Sequence, residues 1–240
     1  MEENKMMLFT REEQELFIGS VRTGNKTRES ILKQGMPFAN SFFYAYTDVA
    51  RSPLKGIGSV SGGSQKAKET CIKSIIVPFC MQTLFCAKNA DEFDNSHKEL
   101  CVKIHDFYAE KGYETFTIGK AQKWINMALK YACIYDVEDV DKLSSIFPYC
   151  HVPIDRYIAN SIVNQLNVNL PEYSGFRMTS KRPFSAEACN FSWSRIDDYS
   201  EYITCQRAIR DALKANASEQ TPLKWEYAQW LAEKEKTEEK

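Results

Sequence analysis

The sequence predicts an all-α protein made of two helical subdomains with a cleft between them, and three observations predict it. Apolar residues recur at helical spacing along most of the 240 residues. Alternating strand patterns are scarce, and no series of strands separated by helices occurs. Cap and stop residues flank the periodic stretches. TREEQELFIGSV opens with Thr10 as a cap and an acidic first turn, and SHKELCVKIHDFYAEKGY carries Leu100, Ile104 and Phe107 on one face before stopping at Gly112. Further helices are expected at roughly 66–87, 119–135, 156–167, 195–215 and 223–235.

Size and composition narrow the class. A hydrophobic content of 43% suffices for a packed core. SIIVPFCMQTLFCA, broken by Pro78 and Gln82, reads as a core segment because no apolar run reaches the roughly 18 residues a membrane helix needs. The acidic start MEENKMMLFTREEQ lacks the basic, then apolar, pattern of an export signal, so a cytoplasmic monomer without membrane contact is expected. The eight cysteines include no C-x-x-C pair and fall inside apolar patterns, which points to buried, reduced thiols. His97, Cys101 and His105 fall four apart on one helical face, but no further ligand accompanies them, so neither metal nor cofactor is expected.

The net charge of −1 gives no global attraction to nucleic acid. Basic residues nevertheless gather at 22–33, 65–73 and 177–182 and along Lys120, Lys123 and Lys130, while acidic ones gather at 136–141 and in the tail. That distribution suits either a basic groove or ordinary solvated charge. The Gly/Ser-rich stretch SPLKGIGSVSGGSQ lacks the Gly-Lys-Ser/Thr of a P-loop, and 169–192 reads as an insertion.

The stretch GKAQKWINMALKYA poses the functional question. On a helix, Ala121, Trp124, Ile125, Ala128, Leu129 and Ala132 fill one arc, with Lys120, Lys123, Met127 and Lys130 opposite. The plain reading is a core face and a wet face. Met127 and Tyr131 interrupt the wet stripe, as they would if it faced a partly apolar cleft. Further on, HVPIDRYI places Asp155 between an extended Pro153 segment and the apolar spacing of Ile158, Ile162 and Leu166, so Asp155 reads as a helix N-cap. A capping carboxylate receives backbone N–H groups and stays ionised and oriented.

A helix bearing a lysine, then a gap, then Pro-x-Asp opening another helix resembles the helix-hairpin-helix DNA glycosylase superfamily, closest to its archaeal 8-oxoguanine branch. Lys123 and Asp155 lie 32 positions apart, Lys130 supplies a second lysine, and PLKWEYAQWL is similar to the family's Pro-Leu, carboxylate, three residues, Trp pattern at Glu226 and Trp230. The chain departs from the family in having only Gly119 for the hairpin's Gly-x-Gly, Glu226 where Asp is expected, and about two dozen extra residues between the matching regions.

The resemblance implies a single glycosylase-like domain over 1–240, with lobes 1–100 plus 195–240 and 101–194. It implies duplex or single-stranded DNA as partner and a nucleotide flipped into the cleft. Lys123 would attack the sugar C1′ and Asp155 would orient the amine and offset positive charge on the sugar. Lys130, Glu226 and Trp230 would hold the base, and Gly119 and Lys120 would contact DNA. A lysine nucleophile must shed its proton, moving its pKa from ~10.4 toward ~7–8, which burial and neighbouring cations favour. The expected activity is excision of 8-oxoguanine or a related purine in DNA repair, with β-elimination as a lyase step. Two alternatives stand beside it: excision of a bulky modified base from phage DNA, as in defence, and a non-catalytic helical module binding nucleic acid through its lysines.

Overall fold

The computed structural model describes residues 8–20, 37–50, 60–135, 140–168, 170, 193–216 and 220–238. The basic segments 22–33 and 177–182, most of the Gly/Ser-rich stretch, the insertion's interior and the acidic 136–139 lie outside these. Among the described residues all regular structure is helical. We number the α-helices α1 Arg11–Ser20, α2 Phe38–Ala50, α3 Ser64–Cys71, α4 Val77–Gln82, α5 Ala90–Glu110, α6 Ile118–Ile134, α7 Val140–Ile146, α8 Arg156–Leu166, α9 Tyr199–Ala215 and α10 Pro222–Glu238.

Local chemistry sets the ends of these helices. Thr10 and Glu13 close a capping box on α1, with Glu13 N–H donating to Thr10 Oγ1 at 3.2 Å and Thr10 N–H to Glu13 Oε2 at 2.6 Å. Asn89 caps α5 by accepting from Glu92 N–H at 2.9 Å. That helix ends where Gly112 takes φ +80°, a left-handed conformation that glycine adopts without a Cβ penalty. The expected helix at 66–87 is a compound run: a π turn at Ile72–Ile76 joins α3 to α4, and a 3-10 turn at Leu84–Cys86 ends it. Pro78 accounts for the break, because it has no N–H and its ring crowds the carbonyl four residues earlier. By length and composition this 23-residue run could cross a bilayer, while Ile72, Ile76, Cys80 and Leu84 are fully buried among the core residues. The helix expected from 195 begins at Tyr199 instead, since residues 193–195 form a separate 3-10 turn and Asp198 caps α9.

The helix α6 is the axis of the molecule. Every residue from Ile118 to Ile134 is buried except half-buried Met127, so the wet lysine face of the plain helical-wheel reading does not exist. Helix α2 crosses it, with Trp124 Nε1–H donating to Phe42 O at 2.8 Å and the rings of Tyr46 and Trp124 4.9 Å apart. Helix α5 packs on another side, where Tyr108 stacks on Phe116 at 4.1 Å. Helices α8, α9 and α10 pack against one another, and the buried apolar residues form one core from Leu8 to Tyr227.

Between α5, α6 and α9 lies a buried polar cluster. Asp94 of α5 receives Arg210 Nη1 at 2.9 Å and Nη2 at 2.6 Å, Arg207 Nε at 3.1 Å and His151 Nε2 at 2.8 Å. The His151 and Arg210 partners hold the Asp94 carboxyl well below the usual carboxylate range, against the opposing effect of burial. Burial pushes His151 down to about 4 even though Asp94 pulls the other way, and it lowers His97 as well. A histidine kept neutral by the fold takes up a proton more readily once unfolded. Between pH 4 and 6.5 the unfolded chain therefore binds more protons, and stability falls as pH falls through that window. Urea unfolding is expected to lose about 2–3 kcal/mol from His151 alone between pH 7 and pH 4.5, and a flat stability profile there would contradict this arrangement.

Candidate active site

The residues expected to carry chemistry meet along one side of α6. Thr117 caps that helix, accepting from Lys120 N–H at 3.3 Å. Two residues into the next turn, Lys123 Nζ lies 3.3 Å from Asp155 Oδ2 and 3.4 Å from Pro153 O. Asp155 is the N-cap of α8: its Oδ1 accepts from Ile158 N–H at 3.1 Å and its carbonyl from Ala159 N–H at 2.8 Å. One carboxylate oxygen is thus tied to the helix start and the other faces the amine. The Lys123 side chain is 5% exposed and that of Asp155 is 24% exposed, so the pair is reached from the aspartate side. The Trp193 ring lies 6.0 Å from the Lys123 ammonium.

Two turns further on, about 10 Å along the axis, Lys130 meets α10. Its Nζ lies 2.9 Å from Glu226 Oε1 and 2.7 Å from Oε2, and it sits over the rings of Trp230 at 5.0 Å and Phe17 at 5.6 Å. Burial raises the pKa of Glu226, with Lys130 as the strongest opposing influence. Lys123 and Asp155 also act on Glu226, so the two ion pairs share one electrostatic neighbourhood. Trp230 is half-buried and rests on Phe17 at 5.3 Å between ring centroids. Lys130, Glu226 and Trp230, far apart in sequence, are therefore neighbours.

Gly119 and Lys120 are placed differently from the DNA contact expected of them. Gly119 N–H donates to Ile196 O at 2.7 Å, so this amide is committed inside the protein. A Cβ on Gly119 would stand 1.9 Å from Trp193 O, which explains why glycine is needed: the turn 193–196 lies directly on the start of α6. Thr117 Oγ1–H donates to Ser194 O at 2.8 Å and fastens the same turn. Lys120 is 6% exposed; its Nζ donates to Thr115 O and lies 5.6 Å from the Tyr113 ring centroid. Burial lowers its pKa.

The three candidate metal ligands do not converge: Cys101 Sγ stays 3.7 Å from His97 Nδ1, but His105 points away from both. His97 turns inward to Asn126 Oδ1 at 2.9 Å, whereas His105 faces Asp106 at 3.0 Å near the surface. Among the described residues no three His, Cys, Asp or Glu side chains are grouped as metal ligands. The polar cluster around Asp94, His151, Tyr202 and Gln206 was not foreseen; the one signal for it in the sequence was His151 itself, four positions ahead of Asp155. The chain shows no match to any protein-family model, curated protein or solved structure.

With both side chains 1–2% exposed, the Lys130–Glu226 pair sits where charges are costly unless paired. Glu226→Ala strands a buried ammonium and is expected to lower the unfolding free energy by about 3–5 kcal/mol. Lys130→Met combined with Glu226→Leu removes both charges at similar volume and is expected to restore most of that loss. Urea melts of the two variants beside the parent check both statements.

Proposed function

We propose that the protein is a DNA glycosylase with lyase activity, in which Lys123 is the nucleophile and Asp155 its charged partner. The observation that carries this reading is the 3.3 Å contact between Lys123 Nζ and an Asp155 carboxylate that is itself fixed as a helix cap. A carboxylate at that distance can accept the ammonium proton and free the amine lone pair. The amine then attacks C1′ of an extruded nucleotide, and the bond from C1′ to the base breaks with its electron pair leaving on the base, which takes up a proton. The sugar ring opens to a protonated Schiff base between C1′ and Nζ. Loss of a C2′ proton then expels the 3′ phosphate by β-elimination. Once the proton taken from Lys123 has been handed on to the departing base, the restored Asp155 carboxylate offsets the positive charge left on the sugar.

In this reading the base enters beside half-buried Trp230 and would stack on its ring, and Lys130 and Glu226 would supply donor and acceptor atoms to its edge. This reading takes the base into a cleft between two helical lobes, as in the family that the motifs resemble. The similarity of the lysine, Pro-x-Asp and Pro-Leu motifs to the 8-oxoguanine branch makes that base, or a related purine, the first substrate to test. A bulky modified base from phage DNA is the second.

Lesion-bearing duplexes and phage DNAs of differing base composition, incubated with the protein and then borohydride, provide the test. Wild type and Lys120→Ala are expected to form a covalent adduct on at least one DNA, and Lys123→Ala none. Asp155→Asn, which keeps a capping oxygen but not the charge, is expected to slow single-turnover trapping roughly 10²–10³-fold. Loss of the adduct in Lys120→Ala but not in Lys123→Ala would assign the wrong nucleophile. Binding to DNA with no adduct on any substrate would make the protein a non-catalytic binding module.

A further inference from the structure

The short connection from His151 to Asp155 has to hold a carboxylate in register with an amine on a different helix. Its middle cannot be anchored through Pro153, which has no N–H to donate, and the Pro153 carbonyl already faces Lys123 at 3.4 Å. The anchoring falls on the two residues ahead of it. Val152 is gripped at both backbone groups by Gln206 of α9: its N–H donates to Gln206 Oε1 at 2.9 Å, and Gln206 Nε2 donates to Val152 O at 2.8 Å. Gln206 is 1% exposed and makes its two bonds in the manner of a neighbouring β-strand. His151 is held at both ring nitrogens, by Asp94 at 2.8 Å and by the Tyr202 hydroxyl at 2.8 Å.

These bonds run back to the lysine helix with only one possible direction. Gly119 O can only accept, so it fixes the amide of Gln122, whose Nε2 donates to it at 2.9 Å. Gln122 Oε1 must then accept from Asn126 Nδ2 at 2.9 Å, which leaves Asn126 Oδ1 to accept from His97 Nε2–H at 2.9 Å. The second Asn126 amide hydrogen goes to the Tyr202 oxygen at 2.7 Å. Tyr202 must spend its own proton on His151 Nδ1, and His151 then donates from Nε2 to Asp94, which Arg210 holds with two prongs. With both histidines neutral, this order leaves no two acceptors or two donors face to face along the chain from Gly119 O to Asp94. Gln122 and Asn126, at the α6 end of this chain, flank Lys123 in sequence one residue before and three after it.

We propose that Gln206 and His151 are positioning residues that set the separation of the Asp155 carboxylate and the Lys123 amine by locking residues 151–152 to the lysine helix and to α9. This rests on the glycosylase reading of the Lys123–Asp155 pair. Neither residue touches substrate; both act through Asp155. Displacing a reacting group by about 1 Å can cost a hundredfold in rate, whereas DNA contacts made elsewhere are unaffected.

The test is single-turnover borohydride trapping on a duplex carrying an abasic site, with equilibrium binding to the same duplex measured in parallel. Gln206→Met keeps the length of the side chain and removes both hydrogen bonds. It is expected to slow trapping roughly ten- to a hundredfold while changing the Kd less than about twofold. Gln206→Glu retains the acceptor for Val152 N–H, and its rate is expected to lie between those of Gln206→Met and wild type; it also serves if Gln206→Met does not fold. In the Asp155→Asn background Gln206→Met is expected to slow trapping no further, because the group it positions no longer carries the charge. An unchanged trapping rate in Gln206→Met, or the same loss persisting in Asp155→Asn, would overturn the positioning role while wild-type trapping keeps the glycosylase reading intact. A wild type that never traps removes that reading, and this proposal with it.

Discussion

The structure depends on a helix that carries three ammonium groups where other proteins place leucine. Moving a lysine cation out of water costs several kcal/mol even after the protein relaxes, so each one demands a partner delivered by another part of the chain. Lys120 is answered by Thr115 O and the Tyr113 ring just ahead of the helix. Lys123 is answered by Asp155 and Pro153 O from the start of α8, and Lys130 by Glu226 and two aromatic rings from α10 and α1. These demands fix which parts of α1, α8 and α10 face α6. They also explain why the core runs without interruption from Leu8 to Tyr227 although its central helix is rich in charge.

Much of this was legible in the sequence, for definite reasons. The caps at Thr10, Asp155 and the stop at Gly112 were readable because they depend on neighbours within one helical turn. Motif likeness set Lys123 with Asp155 and gathered Lys130, Glu226 and Trp230 as base-pocket residues; that Lys130 and Glu226 form an ion pair with each other was not legible. What escaped depends on contacts made across long stretches of chain. A helical wheel separates apolar from polar positions and cannot distinguish a polar face in water from one buried against partners at positions 155 and 226. Gly119 looked like a remnant phosphate-binding turn because its real neighbour, Trp193 O, is 74 positions away. The cluster around Asp94 joins one residue of α5, His151 from a connection and several residues of α9, each of which looks like an ordinary polar interruption in its own stretch.

The two lysine–carboxylate pairs differ in a way that divides their roles. Lys130 and Glu226 are sealed, at 1% and 2% exposure; the ammonium donates to Glu226 Oε1 at 2.9 Å, while Oε2, 2.7 Å from Nζ, has the ion-pair attraction but no hydrogen-bond donor among the described residues. Any ligand reading their edges must first part them, at a cost in lost pairing that only matching hydrogen bonds can offset. On the proposed glycosylase reading the inner pair would act as a filter, since a base without the complementary donor and acceptor would leave buried charge unpaired and be disfavoured by more than the loss of one contact. The outer pair is longer and more open. Asp155 is 24% exposed, one of its oxygens is committed to the helix start, and the other meets the amine at 3.3 Å, a longer contact than those of the inner pair. A contact of that length and exposure is held by its surroundings more than by its own attraction, because water screens the half-open carboxylate. The rigidity must therefore come from behind, and the directional chain from Gly119 O through His151 to Asp94, with the grip of Gln206 on Val152, supplies it at a stretch of backbone where Pro153 has no N–H to donate.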